Sequence, residues 1–207
     1  MPKQSKALQN FMHTIKRSLD LVRLYIELVK SPNPPSSASD VVRSAVVLSV
    51  AAMDAYFTNK FVEMLVPYIR KRGPNNELID ILEKAGLDTE QALVMATMSR
   101  PFRRVRSLVQ NYFEKYVTQK FDVIDKLFLC FGLKNLTKHT QGITKRKRLL
   151  RSIELLVERR HQIVHDGDLN SHGKLRRIDP TSVLGRIEDL AAFVEAADTL
   201  LNSATKV

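Results

Sequence analysis

The sequence predicts an all-α bundle of about six or seven helices, on three observations. Apolar residues recur at three- and four-residue intervals through most of the chain, the spacing that gathers them on one side of a helix. No stretch alternates convincingly with the period of two that a half-buried strand shows. Seven Gly and eight Pro in 207 residues fall below average usage, so few turns are encoded and long helices are favoured.

The elements follow in order. Leu8, Phe11, Met12, Ile15, Leu19, Val22, Ile26 and Val29 mark a first helix that stops before Pro32. Residues 31–39 form a Pro/Ser linker, because each proline lacks a donor and biases the residue before it away from helix. Ser39 or Asp40 then caps a long helix running to about residue 70, which the KRGPNN stretch at 71–76 breaks. A short helix spans 77–85 and ends at Gly86, and Asp88 or Thr89 caps another through residue 98. Pro101 suits the first position of the next helix, whose pattern runs through Val105, Leu108, Val109, Tyr112 and Phe113. An apolar segment at 121–133 precedes a polar loop at 134–142. A well-defined helix at 143–166 is closed by Gly167, and a loop at 168–180 leads to a last amphipathic helix ending near Leu201.

The composition fits one helical domain over 1–207. There are 33 Lys+Arg against 22 Asp+Glu, a formal charge of +11, with 44% apolar residues to build a core. A lone Cys130 excludes an internal disulfide framework and any cysteine-based zinc finger, and suits a reducing, cytoplasmic setting. The first residues lack the apolar run of a secretory signal, since His13, Lys16, Arg17 and Asp20 interrupt the pattern. The most apolar window, 45–57, falls short of the roughly 20 residues that span a bilayer, so no membrane is expected. No phosphate-cradling Gly-rich loop is present.

The 143–166 helix carries the chemical signal. At about 100° per residue, Leu149, Ile153, Leu156, Val157 and Val164 share one side, and Arg160 falls inside that apolar stripe. A buried guanidinium costs several kcal/mol unless it is partnered, roughly the penalty of an unpaired charge. Either it is ion-paired, with Asp54 as candidate mate, or the stripe lines a cleft or dimer seam that meets an anion. His161 and His165, four apart, stack on a neighbouring stripe with Glu154 and Glu158. Such a pair can bind a divalent metal, with Asp166 and Asp168 as oxygen ligands, although Gln162 stands where a zinc protease needs Glu.

The stretch ERRHQIVHDG at 158–167 resembles the ribonuclease motif of the HEPN superfamily, an Arg four to six residues ahead of a His near the end of a late helix, and its prokaryotic toxin-type, RiboL-PSP-HEPN-like branch in particular. Arg160 fits with four residues between and Arg159 with five; the helical phase favours Arg160. Many members carry Asn after the Arg, where this chain has His161, which also donates and accepts hydrogen bonds. The resemblance implies a metal-independent endoribonuclease without cofactor, acting as a homodimer and possessing a neutralising antitoxin protein. It also implies that Arg160 stabilises phosphorane charge and that His165 transfers protons. His161, Asp54, Arg159 and Asp166 would support them.

Charge agrees with an RNA substrate. Lys145, Arg146, Lys147, Arg148 and Arg151 open the motif helix and are the expected RNA-binding set; Arg100, Arg103, Arg104 and Arg106 open another helix, and Lys174, Arg176 and Arg177 follow in the loop. Tyr112, Phe113 and Tyr116 are candidates for stacking on bases. Two alternatives stand beside the nuclease: a basic dimer that binds nucleic acid or a protein without cutting, and a metal-dependent helical enzyme built on His161 and His165.

Overall fold

The computed structural model describes residues 4–113 and 118–206. Among them are nine helices and no strand: α1 (Lys6–Leu28), α2 (Ala38–Arg72), α3 (Asn76–Lys84), α4 (Thr89–Ala96), α5 (Pro101–Phe113), α6 (Phe121–Leu129), α7 (Leu136–Thr144), α8 (Leu149–Asp166) and α9 (Pro180–Lys206). The all-α expectation holds, with a few more helices than expected.

Local chemistry explains most boundaries. Ser5 caps α1 by accepting from Leu8 N at 3.1 Å, and Asp88 caps α4 by accepting from Gln91 N at 2.8 Å. Pro101 opens α5, where its missing N–H costs nothing. At the start of α2 the expected capping residues serve otherwise. The N-cap is Ser37, and Ser39 Oγ accepts from Arg43 Nη1 at 2.7 Å, one turn on.

The core is built on α2, which packs against α1, α5, α8 and α9. Its Phe57 lies 5.9 Å from Phe128 of α6 and 6.0 Å from Phe193 of α9, between ring centroids, and Phe61 lies 4.8 Å from Phe113 of α5. α2 is long and apolar enough to cross a bilayer, but 56% of its most apolar window is buried within the fold, as befits the central helix of a bundle.

A buried polar knot joins the chain's two ends to α2. Asp198 Oδ1 of α9 accepts from Lys60 Nζ at 2.6 Å, Tyr56 Oη at 3.0 Å and Ser5 Oγ at 2.9 Å. Lys60 also donates to Asn202 Oδ1 at 2.6 Å. Lys60 and Asp198 are almost wholly buried, which only this mutual satisfaction allows.

Two expectations are corrected around the motif helix. Residues expected as a polar loop form α7, because tertiary contacts supply what its weak periodicity lacks. Leu136, Thr137 and Thr140 are buried, and Asp125 accepts from both Thr137 N and Oγ1, at 2.9 and 2.8 Å. α8 therefore begins at Leu149 rather than 143, after a turn in which Lys145 is left-handed (φ 55°). Within the apolar segment at 121–133, α6 runs to Leu129, and Gly132, at φ 80°, lies in the turn beyond it.

Candidate functional site

Leu149, Ile153 and Leu156 anchor α8 on one buried stripe. Arg160 lies seven residues past Ile153, about 20° from in phase, so its stem enters the same packing. The helix ends where Gly167 turns left-handed (φ 62°) and Asp168 N donates back to Gln162 O at 3.0 Å.

Arg160 borders an open groove of about 320 Å³. Its walls are Ala51, Asp54, Ala55, Thr58 and Asn59 of α2, Gln110 and Phe113 of α5, and Gln119 ahead of α6. The Arg160 Nε is buried and finds no hydrogen-bond partner among the described residues. Asp54, the expected mate, shares the groove without pairing. Its carboxylate accepts from Thr118 N at 2.7 Å, from Thr118 Oγ1 and from Gln119 Nε2 at 3.3 Å. Those bonds pin the chain entering α6 against α2, so Asp54 shapes the wall of the groove.

Arg159 points elsewhere. It donates to Asp168 Oδ2 at 2.7 Å and to the carbonyls of Arg176 and Arg177 at 3.3 and 3.2 Å. Arg43 of α2 meets the same oxygen at 2.7 Å and adds Arg176 O at 2.7 Å. Asp168 is fully buried, and its Oδ1 has no partner among the described residues. Burial lowers the Arg159 pKa; Asp168 opposes that, while Arg43, Arg176 and Arg186 repel it further. Asp168, expected as a possible metal ligand, is instead the clamp that fixes the loop after α8 to the start of α2. Sequence reasoning passed over Arg43, although it too is a charge on an apolar stripe, beside Val42 and Val46.

His161 and His165 are exposed, their ring centroids 4.4 Å apart. His165 is five positions past Arg160, so it stands about 140° around the helix and 7–8 Å along it. Within one chain the two side chains leave α8 on different flanks, with Val164, 46% exposed, between them in phase. Asp166 is exposed beyond them. No three His, Cys, Asp or Glu side chains come together to hold a metal among the described residues.

The expected RNA-binding set lies apart from the groove. Arg151 sits nine residues before Arg160, half a turn out of phase, and faces Glu154 at 3.4 Å. Arg146 is paired with Asp189 of α9. Lys145, Lys147 and Arg148 are exposed at the α7–α8 turn. Of the aromatic candidates, Phe113 is buried, Tyr112 is half-buried, and Tyr116 lies outside the described residues.

A sequence profile of the RiboL-PSP-HEPN family matches residues 13–203. The chain belongs to this family. No curated protein and no solved structure matches it. The matched span contains every element of the RiboL-PSP-HEPN chain that shapes the site, from Arg43 and Asp54 on α2 through Gln110 and Arg160 to His165 and Asp168.

Proposed function

We propose that this protein is a metal-independent endoribonuclease. The observation that carries the reading is the unpartnered Arg160 Nε on an open groove. A buried donor without an acceptor is costly, roughly 1–3 kcal/mol, and a phosphate oxygen would supply what the described residues do not. Membership of a HEPN family supports a role connected with RNA.

The chemistry needs no metal. A base takes the proton from a ribose 2′-hydroxyl, the 2′-oxygen bonds to the adjacent phosphorus, and the 5′-oxygen leaves with a proton from an acid. The products are a 2′,3′-cyclic phosphate and a 5′-hydroxyl. Arg160 offers a planar fork to the phosphorane oxygens, and His165, with His161 beside it, carries the proton transfer. Because these groups diverge within one chain, a homodimer completes the site, a second copy setting its histidines against this groove across the Val157–Val164 strip. Such an enzyme, acting in the cytoplasm, needs a neutralising protein, which fits a toxin or antiviral effector.

The test is cleavage of RNA by purified protein in the presence of a chelator. Arg160→Ala and His165→Ala should each lower the rate by at least a hundredfold while folding normally. Retained cleavage by either folded variant overturns the assignment. Tight, salt-sensitive binding without any product makes the protein a binding module instead.

A further inference from the structure

The groove ends at α5, and the same flank of α5 carries positive charge away from it. Ring contacts fix the direction: Phe61 of α2 meets Phe113, whereas Arg70 lies over the Phe102 ring at 4.9 Å. The helices therefore run antiparallel, and the first turn of α5 lies beside the end of α2. Gln110, a groove residue, shares its side of α5 with Arg106 and Arg103, which stand within about 40° of it and about 6 and 10 Å along the axis. All three are exposed.

Their charge is uncompensated. α5 holds no acidic residue, and Arg100, Arg103, Arg104 and Arg106 have no acidic partner among the described residues. Arg100, Arg103 and Arg104 also crowd the end of a helix where positive charge is disfavoured by the dipole. Fold stability gives no reason for this placement, and a polyanion gives one. The α7–α8 cluster is the poorer candidate, since Arg146 and Arg151 already face carboxylates and Arg148 stands about 18 Å along α8 from Arg160.

We propose that the Arg103–Arg106–Gln110 flank of α5 is the track along which single-stranded RNA runs from the Arg160 groove. This rests on the ribonuclease reading for the identity of the ligand, and its test is independent of cleavage. Each arginine holds one backbone phosphate, and Gln110 lies at the step into the groove.

The probe is a 2′-O-methyl oligouridine, which has no 2′-hydroxyl and cannot be cut by this chemistry. Its affinity is measured against salt for the wild-type protein, Arg103→Gln/Arg106→Gln and Lys147→Gln/Arg148→Gln. Two lost phosphate contacts should lower the slope of log affinity against log salt by about 1.4, at roughly 0.7 per contact. The Lys147/Arg148 pair should keep the wild-type slope. The α5 variant should melt no lower than wild type, which separates a lost contact from a damaged fold. An unchanged slope, an equal loss in both variants, or no binding by the wild type overturns the track; in the first case the flank is left to an acidic protein partner. A protein that binds through this flank but never cuts RNA keeps the track and sinks the nuclease. Cleavage with an unaltered slope does the reverse.

Discussion

Arg159 gives its guanidinium to Asp168 at 2.7 Å and thereby leaves the groove to its neighbour Arg160. Two consecutive arginines, about 100° apart on α8, thus divide the work. One is satisfied by a buried carboxylate and two backbone carbonyls, and the other stands with a buried Nε that none of the described residues satisfies. On the proposed reading the motif arginine is Arg160, with four residues between it and His165, because Asp168 already occupies Arg159.

This division predicts opposite phenotypes. Arg159→Ala should destabilise the protein by about 1–3 kcal/mol, less than for a fully buried pair because Arg159 is partly exposed and Asp168 keeps Arg43. Arg160→Ala should leave stability unchanged or slightly raised, because it removes an unsatisfied donor, while it abolishes cleavage. Chemical denaturation read beside an RNA cleavage assay checks both. Loss of stability in the Arg160 variant would mean that its partner is inside the fold.

Much of this was legible beforehand. The helical class, the caps at Asp88 and Gly167 and the inward phase of Arg160 all depend on short-range rules that sequence carries. The Arg160–Asp54 pair did not follow, because Asp54 is claimed by Thr118 and Gln119, residues 64 and 65 positions away whose approach no periodicity encodes. α7 was missed for a similar reason: its helix is held by Asp125 of α6 and not by its own apolar pattern. Asp168 resembled a surface loop residue and proved to be buried, since the two arginines it needs come from α2 and α8.

Val164 tests the proposed second copy. Nearly half exposed, it sits in phase between Arg160 and the histidine pair, so any seam joining two sites crosses it. Val164→Asp should leave the melting of the isolated chain near wild type, place a desolvated charge in the seam and shift the protein to monomer in light scattering. Cleavage should fall with it. A monomeric wild type, or a dimeric and active variant, removes dimerisation from the mechanism.

The Lys60–Asp198 knot should govern how the chain's ends hold to α2. Lys60→Met strands Asp198 with only hydroxyl and amide donors, at a cost of about 3–5 kcal/mol. Tyr56→Phe should cost about 1.5–3 kcal/mol, one hydrogen bond to that carboxylate. Hydrogen exchange should accelerate first in α1, whose capping Ser5 also binds Asp198. Uniform acceleration across all helices would show that the knot has no special hold on α1.

Cys130 makes an alkaline prediction with a definite sign. Burial pushes its thiol from 9.0 up to about 12, and the charge of Glu77 adds to the effect. Because the folded value lies above the unfolded one, the contribution is fully present below about pH 9, where neither state ionises. Between about 9 and 12 the unfolded thiol loses its proton and the folded one keeps it, so stability falls by up to about 1.4 kcal/mol per pH unit. Tyr56, also raised by burial and by Asp198, adds a decline above about pH 10 in every variant that retains it. Cys130→Ala should therefore start less stable, having lost packing, yet decline less steeply than wild type from pH 9 to 11. Parallel declines in urea titrations of the two proteins would mean that the thiol is not shielded in the folded chain.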